Sequence, residues 1–277
     1  MQSYFEFTCG KFNLILNRPH VMGIVNVTPD SFSDGGKFTS THLAVEHALK
    51  LISEGADILD IGGESTRPGA AVVGLDEELN RVIPVIEALS ANCNVPISID
   101  TYKPEVMRQA IAAGADIVND VRALQEPDAL EIVAQSNVGV CLMHMQGMPQ
   151  TMQLDPQYVD VVSDVKQFLL DRLNASIAHG IASNRILLDP GFGFGKTRAH
   201  NIALIQHLDV LTKMGQPLLV GLSRKSVLGS IAGGDESQRL YASVAASVIS
   251  AMKGAKIIRV HDVKATVDAL KVVTAIQ

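Results

Sequence analysis

The stretch whose residue types most clearly suggest chemistry is an aspartate followed by alternating glycines. An apolar run at residues 186–188 ends in Asp189, and the sequence DPGFGFGK occupies residues 189–196. Parallel α/β proteins bind ligands where their strands end, so Asp189 is predicted to lie in a site. Pro190 stands where a phosphate-binding P-loop requires its first glycine, which excludes a Walker A motif.

Polar side chains also follow the other apolar runs of the chain. They are Asn26, Glu64, Asp100, Asn119 with Asp120, His144, Arg224 with Lys225, and Arg259 with His261. Taken singly, each has an alternative interpretation as a residue that merely marks where a strand leaves the core. As a set they favour a shared site, because polar groups gathered in the mouth of a barrel must have partners.

The residue types divide into two kinds of recognition. The side chains of Asp100, Asn119 and Asp189 form hydrogen bonds in a plane, which suits a flat nitrogen heterocycle. A second group is cationic and suits a phosphate or diphosphate: Lys225, Arg224, Arg259, His261 and, on a loop, Arg67. The sequence therefore predicts a ligand with a planar polar edge and an anionic end.

Eight apolar runs alternate with eight segments of helical periodicity, and this alternation predicts the elements that position the polar residues. The predicted strands are 21–27, 58–61, 96–100, 117–121, 139–144, 186–189, 218–222 and 257–261. The predicted helices are 41–53, 76–91, 104–113, 128–135, 158–179, 201–214, 237–253 and 263–276. Eight βα units predict an α/β fold, a (β/α)8 TIM barrel. A doubly wound open sheet is the alternative, disfavoured because no strand resembles an edge strand.

Alternating apolar residues near the start of the chain predict a short β-hairpin that turns at Gly10. Residues 1–20 are accordingly interpreted as an N-terminal hairpin that caps the bottom of the barrel. No Ser-, Pro- or Gly-rich linker interrupts the chain, so residues 1–277 are predicted to form a single domain. Pro84 lies inside a predicted helix, which it is expected to kink or restart.

The composition limits the class of protein and its partners. Hydrophobic residues make up 47% of the 277 residues and charged residues 19%, which excludes a disordered chain. The net charge of −6 argues against nucleic acid or a membrane surface as the main partner. The three cysteines are too scattered for a disulfide framework, and the N-terminus does not resemble a signal peptide. We therefore expect a soluble protein of the reducing cytoplasm.

Five blocks of sequence, in order along nearly the whole chain, resemble dihydropteroate synthase of the folate pathway. The blocks are NVTPDSFSDG (26–35), GESTRPG (63–69), DPGFGFGK (189–196), SRKS (223–226) and RVHD (259–262). The resemblance implies a transferase that condenses 4-aminobenzoate with (7,8-dihydropterin-6-yl)methyl diphosphate to give 7,8-dihydropteroate and diphosphate. It also implies Mg²⁺ as the cofactor and an SN1-like displacement that requires no protein nucleophile.

The resemblance further implies a role for each matched residue. The residues implied for the pterin are Asp189 and Asn119 on its aminopyrimidine edge, Asp100 on its other ring, Lys225 on its carbonyl side, and Met143 in the pocket wall. The diphosphate end is implied to involve Thr66, Arg259 and His261, with Asn26 as a ligand of Mg²⁺. The 4-aminobenzoate would contact Phe32, Pro68, Phe194 and the helix opened by Ser226, while Arg67 and Asp34 organise the covered site. Asp100, Lys225, Arg259, Asp34 and Arg67 are the implied catalytic residues.

Three other functions stay open on the residues alone. A pterin-dependent methyltransferase with a corrinoid partner, or a non-enzymatic pterin-binding protein, would share the polar pocket but would have little use for the cations. A phosphate-handling barrel of the aldolase kind is disfavoured because no lone lysine stands ready for a Schiff base. A homodimer is predicted, with residues 242–248 as its seam; the alternative is that this segment packs on the barrel.

Overall fold

The computed structural model describes residues 4–27, 37–66, 69–148 and 151–276, with only the backbone described for residues 37–39. The strands are β1 (Phe5–Cys9), β2 (Phe12–Leu16), β3 (His20–Asn26), β4 (Ile58–Gly62), β5 (Ile97–Asp100), β6 (Ile117–Asp120), β7 (Gly139–Met143), β8 (Ile186–Asp189), β9 (Leu219–Val220) and β10 (Ile257–Val260). The helices are α1 (Lys37–Ser53), α2 (Leu75–Ser90), α3 (Pro104–Ala113), α4 (Ala129–Ala134), α5 (Val161–Ala178), α6 (Arg198–Gln206), α7 (Leu208–Leu211), α8 (Ser226–Ala232), α9 (Leu240–Met252) and α10 (Val263–Ile276).

Strands β3 to β10 form one parallel sheet that closes on itself. Its strand order is β8-β7-β6-β5-β4-β3-β10-β9, and a parallel bridge between Leu188 and Leu218 joins the two ends. The predicted (β/α)8 barrel is confirmed, and the open-sheet alternative is wrong. Because all eight strands run in the same direction, their carboxyl ends meet at one face of the barrel.

The N-terminal hairpin packs against the opposite end of the barrel. Its strands β1 and β2 are antiparallel and turn at Gly10, where φ is +56°. A side chain at Gly10 would also lie 2.3 Å from Asp116 Oδ1, so both the backbone angle and the close approach favour glycine. Phe7, Cys9 and Leu16 pack against the first inward-facing residues of the barrel strands, among them Met22, Ile58, Ile117, Cys141, Leu187, Leu219 and Ile257. The division of the chain into a single domain stays a prediction.

The alternation of side chains along a strand determines what lies above this apolar layer. Two residues further along the strands come Asp60, Asn119, Met143, Asp189 and Arg259. The other face of each strand packs on the surrounding helices, in a core that includes Leu59, Val118 and Leu188. The interior of the barrel therefore changes from apolar to charged toward the carboxyl ends of the strands.

One predicted helix is divided in the structure, and the helix that contains Pro84 is continuous. The helix predicted at 201–214 is divided into α6, α7 and a 3-10 turn (Thr212–Met214), because His207 leaves helical geometry at φ −109° and ψ 24°. Helix α2 continues through Pro84 without restarting. Pro84 cannot make one of the backbone hydrogen bonds of the helix. The apolar face, with Val82, Val85, Ile86 and Leu89 all buried, stabilises the helix enough to offset this loss. Within the described residues, no helix is both long and apolar enough to cross a membrane.

Candidate active site

An arginine whose side chain is 20% exposed lies between two carboxylates inside the barrel. Arg259 Nε donates to Asp60 Oδ2 and Arg259 Nη2 donates to Asp100 Oδ2, each at 2.6 Å. Asn119 Nδ2 also donates to Asp60 Oδ2, at 3.2 Å. The side chains come from β10, β4, β5 and β6, so the closed sheet alone brings them together. We call Asp60, Asp100, Asn119 and Arg259 the arginine cluster.

The charges of this cluster are paired, but two of its carboxylate oxygens form no hydrogen bond among the described residues. Burial opposes the charged form of Arg259, but Asp60 and Asp100 outweigh it and raise the pKa of the guanidinium. Burial raises the pKa of the Asp100 carboxyl, while Arg259 lowers it. Asp60 Oδ1 and Asp100 Oδ1 are buried without a hydrogen-bond partner among the described residues. Such atoms are costly to leave unpaired, so they mark a place where a ligand with N–H groups would be stabilised.

A second charged pair lies beside the loop that follows β8. Asp189 Oδ1 accepts a 2.7 Å hydrogen bond from the Gly191 N–H, and burial raises the pKa of this carboxyl. Lys225 Nζ donates to the Phe192 carbonyl and lies 4.5 Å from the centre of the Phe194 ring. Burial lowers the pKa of Lys225 to about 8, although Asp189 acts in the opposite direction. Lys225 is therefore still largely an ammonium group at neutral pH.

The loop at residues 191–195, here called the glycine loop, passes very close to the end of β7. Gly191 has φ +65°, and a side chain there would lie 1.9 Å from the His144 carbonyl oxygen. A non-glycine residue would therefore meet both backbone strain and a steric clash. This close approach places the glycine loop next to Met143, which is almost fully buried at the end of β7.

The turns after β9 and β10 are joined to each other. Ser223 Oγ accepts from the His261 backbone N–H at 3.2 Å and lies 3.1 Å from His261 Nδ1. Arg224 has φ +58° and forms a bidentate ion pair with Asp262, at 3.0 and 2.6 Å. Arg224 was grouped with the phosphate-binding cations, but its guanidinium is used within the protein to fix this turn. Ser226 follows directly as the first residue of α8.

Glu64, which follows β4, lies in a network at the base of the next loop. Lys103 Nζ contacts Glu64 Oε2 at 2.6 Å, the Val73 carbonyl at 2.7 Å and, from α2, the carboxylate of Glu78. Glu64 Oε1 accepts from the Val73 N–H at 3.1 Å. Lys103 thus connects the two ends of the chain between Glu64 and Val73, the segment that contains Thr66.

Replacing Lys103 by Met is expected to destabilise the protein by about 2 kcal/mol, because two carboxylates would lose their shared cation in a mostly buried place. Urea unfolding followed by circular dichroism measures this change. The matched control is Lys264→Met, whose exposed pair with Asp268 should contribute much less. Equal effects of the two substitutions would show that the Lys103 network is no stronger than a surface ion pair.

Asn26 carries an amide oxygen at the carboxyl end of β3, an atom of the kind that Mg²⁺ binds. Asn26 Oδ1 and Asp100 Oδ2 each lie 3.8 Å from the point that a side chain on Gly62 would occupy. Gly62 thereby leaves space between an amide oxygen and a carboxylate oxygen, which are the hard ligands that Mg²⁺ prefers. Magnesium usually completes its coordination with waters and substrate phosphates, so few protein ligands are needed.

The predicted site residues fall into four groups. Asp100, Asn119 and Arg259 form one hydrogen-bonded cluster, and Asp189, Lys225 and Phe194 lie together at the glycine loop. Asn26, Thr66, Met143, Ser226 and His261 lie on the ends of strands or on the turns that follow them. Phe32, Asp34, Arg67 and Pro68 lie outside the described residues. The role of each residue stays a prediction.

Sequence reasoning missed Asp60 and Lys196. Asp60 is 0% exposed and lies in the middle of β4, whereas only the residues after each strand were considered. The available signal was an aspartate inside an otherwise apolar strand. Lys196 is 2% exposed and contacts His144, although lysines are rarely buried and nothing in the sequence indicates it.

Comparisons with known proteins identify the family of the chain. The family model described as "Pterin binding enzyme" matches residues 22–261. The chain is 54% identical over 263 residues to dihydropteroate synthase of Escherichia coli K12, covering 95% of this chain and 93% of the relative. It is 53% identical over 270 residues to dihydropteroate synthase of Neisseria meningitidis serogroup B, covering 95% and 94%.

Solved structures give the same result. Dihydropteroate synthase of Xanthomonas albilineans with 4-aminobenzoic acid has a TM-score of 0.94 and 54% identity, covering 99% of each chain. The enzyme of Burkholderia cenocepacia, complexed with 7,8-dihydropteroate, has a TM-score of 0.90 and 50% identity, covering 99% of this chain and 96% of that chain. The chain belongs to the pterin-binding enzymes and, among them, to the dihydropteroate synthase family.

Proposed function

We propose that the chain condenses 4-aminobenzoate with (7,8-dihydropterin-6-yl)methyl diphosphate, releasing 7,8-dihydropteroate and diphosphate, at the carboxyl end of the barrel. The observation that best supports this assignment is the arginine cluster, in which two buried carboxylate oxygens have no hydrogen-bond partner among the described residues. A ligand rich in N–H groups would satisfy these oxygens, and a dihydropterin is such a ligand.

The pterin is assigned to the space between Asp189 and the arginine cluster. Asp189 and Asn119 bind its aminopyrimidine edge, because a carboxylate facing two N–H groups forms charge-assisted hydrogen bonds. Lys225 donates to its carbonyl side, and Asp100 accepts from its other ring. Met143 contacts the ring system as part of the wall, where a flexible thioether packs well.

The leaving diphosphate is assigned to Thr66, Arg259 and His261. Arg259 Nη1 has no hydrogen-bond partner among the described residues, so this nitrogen is available to a phosphate oxygen. Asn26 is assigned as the protein ligand of Mg²⁺, which supplies positive charge to the leaving group when it is bound. Arg259 is held by two carboxylates before substrate arrives, so it need not reorganise as negative charge develops.

The reaction itself is proposed to be an SN1-like displacement. The bond from the pterin methylene to the diphosphate oxygen breaks first, its electron pair leaves with the diphosphate, and the electron-rich pterin stabilises the methylene cation. The amine of 4-aminobenzoate then forms the new C–N bond and loses a proton. Asp100, Lys225 and Arg259 act directly on the pterin or the leaving group, with Asp34 and Arg67 organising the covered site.

The second substrate is assigned to Phe194 and Ser226, together with Phe32 and Pro68. Its carboxylate would lie near Ser226, at the start of α8, where backbone N–H groups bind anions. Phe194 supports this placement because its ring already lies beside Lys225 and hence beside the proposed pterin.

Release of diphosphate tests the proposed function. Purified protein with Mg²⁺ and both substrates should release diphosphate and form 7,8-dihydropteroate in equal amounts, measured by a coupled phosphate assay and by chromatography. Omitting 4-aminobenzoate should abolish product formation. Transfer of a methyl group, or tight pterin binding without turnover, would instead favour the methyltransferase or the non-enzymatic pterin-binding protein.

The oligomer, the cellular location and the absence of large partners are also proposals. Within the segment 242–248, Ser243, Ala246 and Ser247 are buried, whereas Ala245 is exposed on the outer face of α9. Helix α9 exposes Tyr241, Ile249 and Met252 on its outer face, which supports a homodimer through that face.

The acidic net charge supports small-molecule substrates rather than nucleic acid or membrane as partners. The free cysteines support a location in the cytoplasm.

A further inference from the structure

The glycine loop is held almost entirely by side chains from elsewhere in the chain. Each of its five consecutive carbonyls accepts a side-chain hydrogen bond. Lys196 donates to the carbonyls of Gly191 and Phe194, and Lys225 donates to the carbonyl of Phe192. Gln153 donates to the Gly193 carbonyl, and Tyr158 donates to the Gly195 carbonyl. Lys196 is the only one of these four donors that contacts two of the five carbonyls, and it therefore constrains the loop at both ends.

Hydrogen-bond acceptors surround the Lys196 amine, among them the His144 carbonyl at 3.4 Å. Its Nζ lies 2.8 Å from His144 Nδ1, 2.8 Å from the Gly191 carbonyl and 3.0 Å from the Phe194 carbonyl. No carboxylate forms an ion pair with it within the described ranges. Burial lowers the pKa of Lys196 well below its usual value, although the charge of Asp189 acts in the opposite direction. The ammonium form therefore depends on these neutral acceptors.

His144 is suited to accept from this amine. Burial and the nearby lysine lower the pKa of His144 to about 3, so the imidazole is neutral at neutral pH. The ring is fixed by an edge-on contact with Phe168, with the ring centres 4.9 Å apart. Lys196 thus links the rigid end of β7 to the glycine loop.

The groups that Lys196 fixes are those that hold the pterin pair. The Gly191 N–H donates to Asp189, and the Phe194 ring supports the ammonium of Lys225. We propose that Lys196 is a positioning residue, which sets the geometry of Asp189 and Lys225 by holding the glycine loop at the Gly191 and Phe194 carbonyls. This inference rests on the proposed function, since it assigns Lys196 to the binding of the pterin substrate.

Kinetics of Lys196→Met test this proposal. The variant keeps the length of the side chain but removes all three donors, so the KM for the pterin diphosphate should rise at least about ten-fold. The value of kcat should fall by a smaller factor than KM rises, because Lys225 is displaced whereas Arg259 stays held by Asp60 and Asp100 rather than by the glycine loop. Lys213→Met, at an exposed lysine, is the matched control and should leave both constants unchanged.

If Lys196 only stabilised the fold, the kinetic result would be different. A partly unfolded population would lower the apparent kcat in proportion to the folded fraction, measured by circular dichroism, and would leave KM unchanged. Lys196→Gln, which retains a smaller donor, provides a second variant and should raise KM in the same direction. An unchanged KM in either folded variant overturns the proposal, as does failure of both variants to fold. Inactivity of the unmodified protein would instead contradict the proposed function.

Discussion

Replacing Arg259 by Gln should lower kcat/KM for the pterin diphosphate by about a thousand-fold. The substitution leaves Asp60 and Asp100 as buried carboxylates without their shared cation, which costs about 3–5 kcal/mol in comparable buried pairs. It also removes a preorganised donor from the leaving group, and loss of one such donor costs about 10²–10³-fold in rate. Diphosphate release under steady-state conditions measures the loss.

The cause of this loss can be separated from general damage to the fold. Binding of a dihydropterin that lacks the diphosphate should weaken much less than turnover, because the proposed work of Arg259 is on the leaving group. The control Arg108→Gln removes an exposed guanidinium from its pair with Glu105 and should leave turnover unchanged. Equal losses of turnover and of pterin binding would show that Arg259 acts on the ring instead.

The pH dependence of pterin binding is an independent test of the contact between Arg259 and Asp100. Burial already raises the pKa of Asp100, and Arg259 opposes this shift, so Arg259→Gln should raise the pKa of Asp100 further. The ionised carboxylate is the form that accepts hydrogen bonds from the pterin. Binding by the variant should therefore be lost at a higher pH, as the pH falls, than binding by the parent protein.

The barrel was predictable because its signals are local. Eight apolar runs of strand length, alternating with helical periodicity, fix the order of elements without any knowledge of long-range contacts. Strand β9 shows the limit: the run 218–222 predicted five residues, and only Leu219–Val220 are paired as a strand. Its last residues, Gly221 and Leu222, lead into the turn at Ser223, whose partner His261 lies on the next turn.

The site was predictable only for residues near or just beyond the carboxyl end of a predicted strand. Arg259 and Asp100 were identified from their positions, but their common partner Asp60 was not, because it lies inside β4 and 199 positions from Arg259. Period-two alternation explains its place, since Asp60 is two residues beyond Ile58, which faces the barrel interior. Lys196 was not predictable, since its partners are backbone carbonyls that only the folded glycine loop brings within reach.

Asp189→Asn should weaken binding of the dihydropterin about a hundred-fold while the fold stays intact. One carboxylate oxygen, Oδ1, is already used by the Gly191 N–H at 2.7 Å, and the other has no hydrogen-bond partner among the described residues. An asparagine that keeps its oxygen on Gly191 turns its NH2 group toward the ligand, where it meets the N–H groups of the pterin edge. The opposite orientation directs the NH2 group at the Gly191 N–H, so either orientation places donor against donor.

The size of this loss follows from the burial of Asp189. At 6% exposure, water replaces few of the lost hydrogen bonds, and each buried donor left unpaired costs about 1–3 kcal/mol. Isothermal titration calorimetry with the dihydropterin measures the affinity, and Asp268→Asn on exposed α10 is the matched control. If Asp189→Asn bound the dihydropterin as tightly as the parent, with an unchanged circular dichroism spectrum, Asp189 would not contact the pterin. The ring would then have to lie nearer the unpartnered oxygens of Asp60 and Asp100, which would be left as the principal acceptors for its N–H groups.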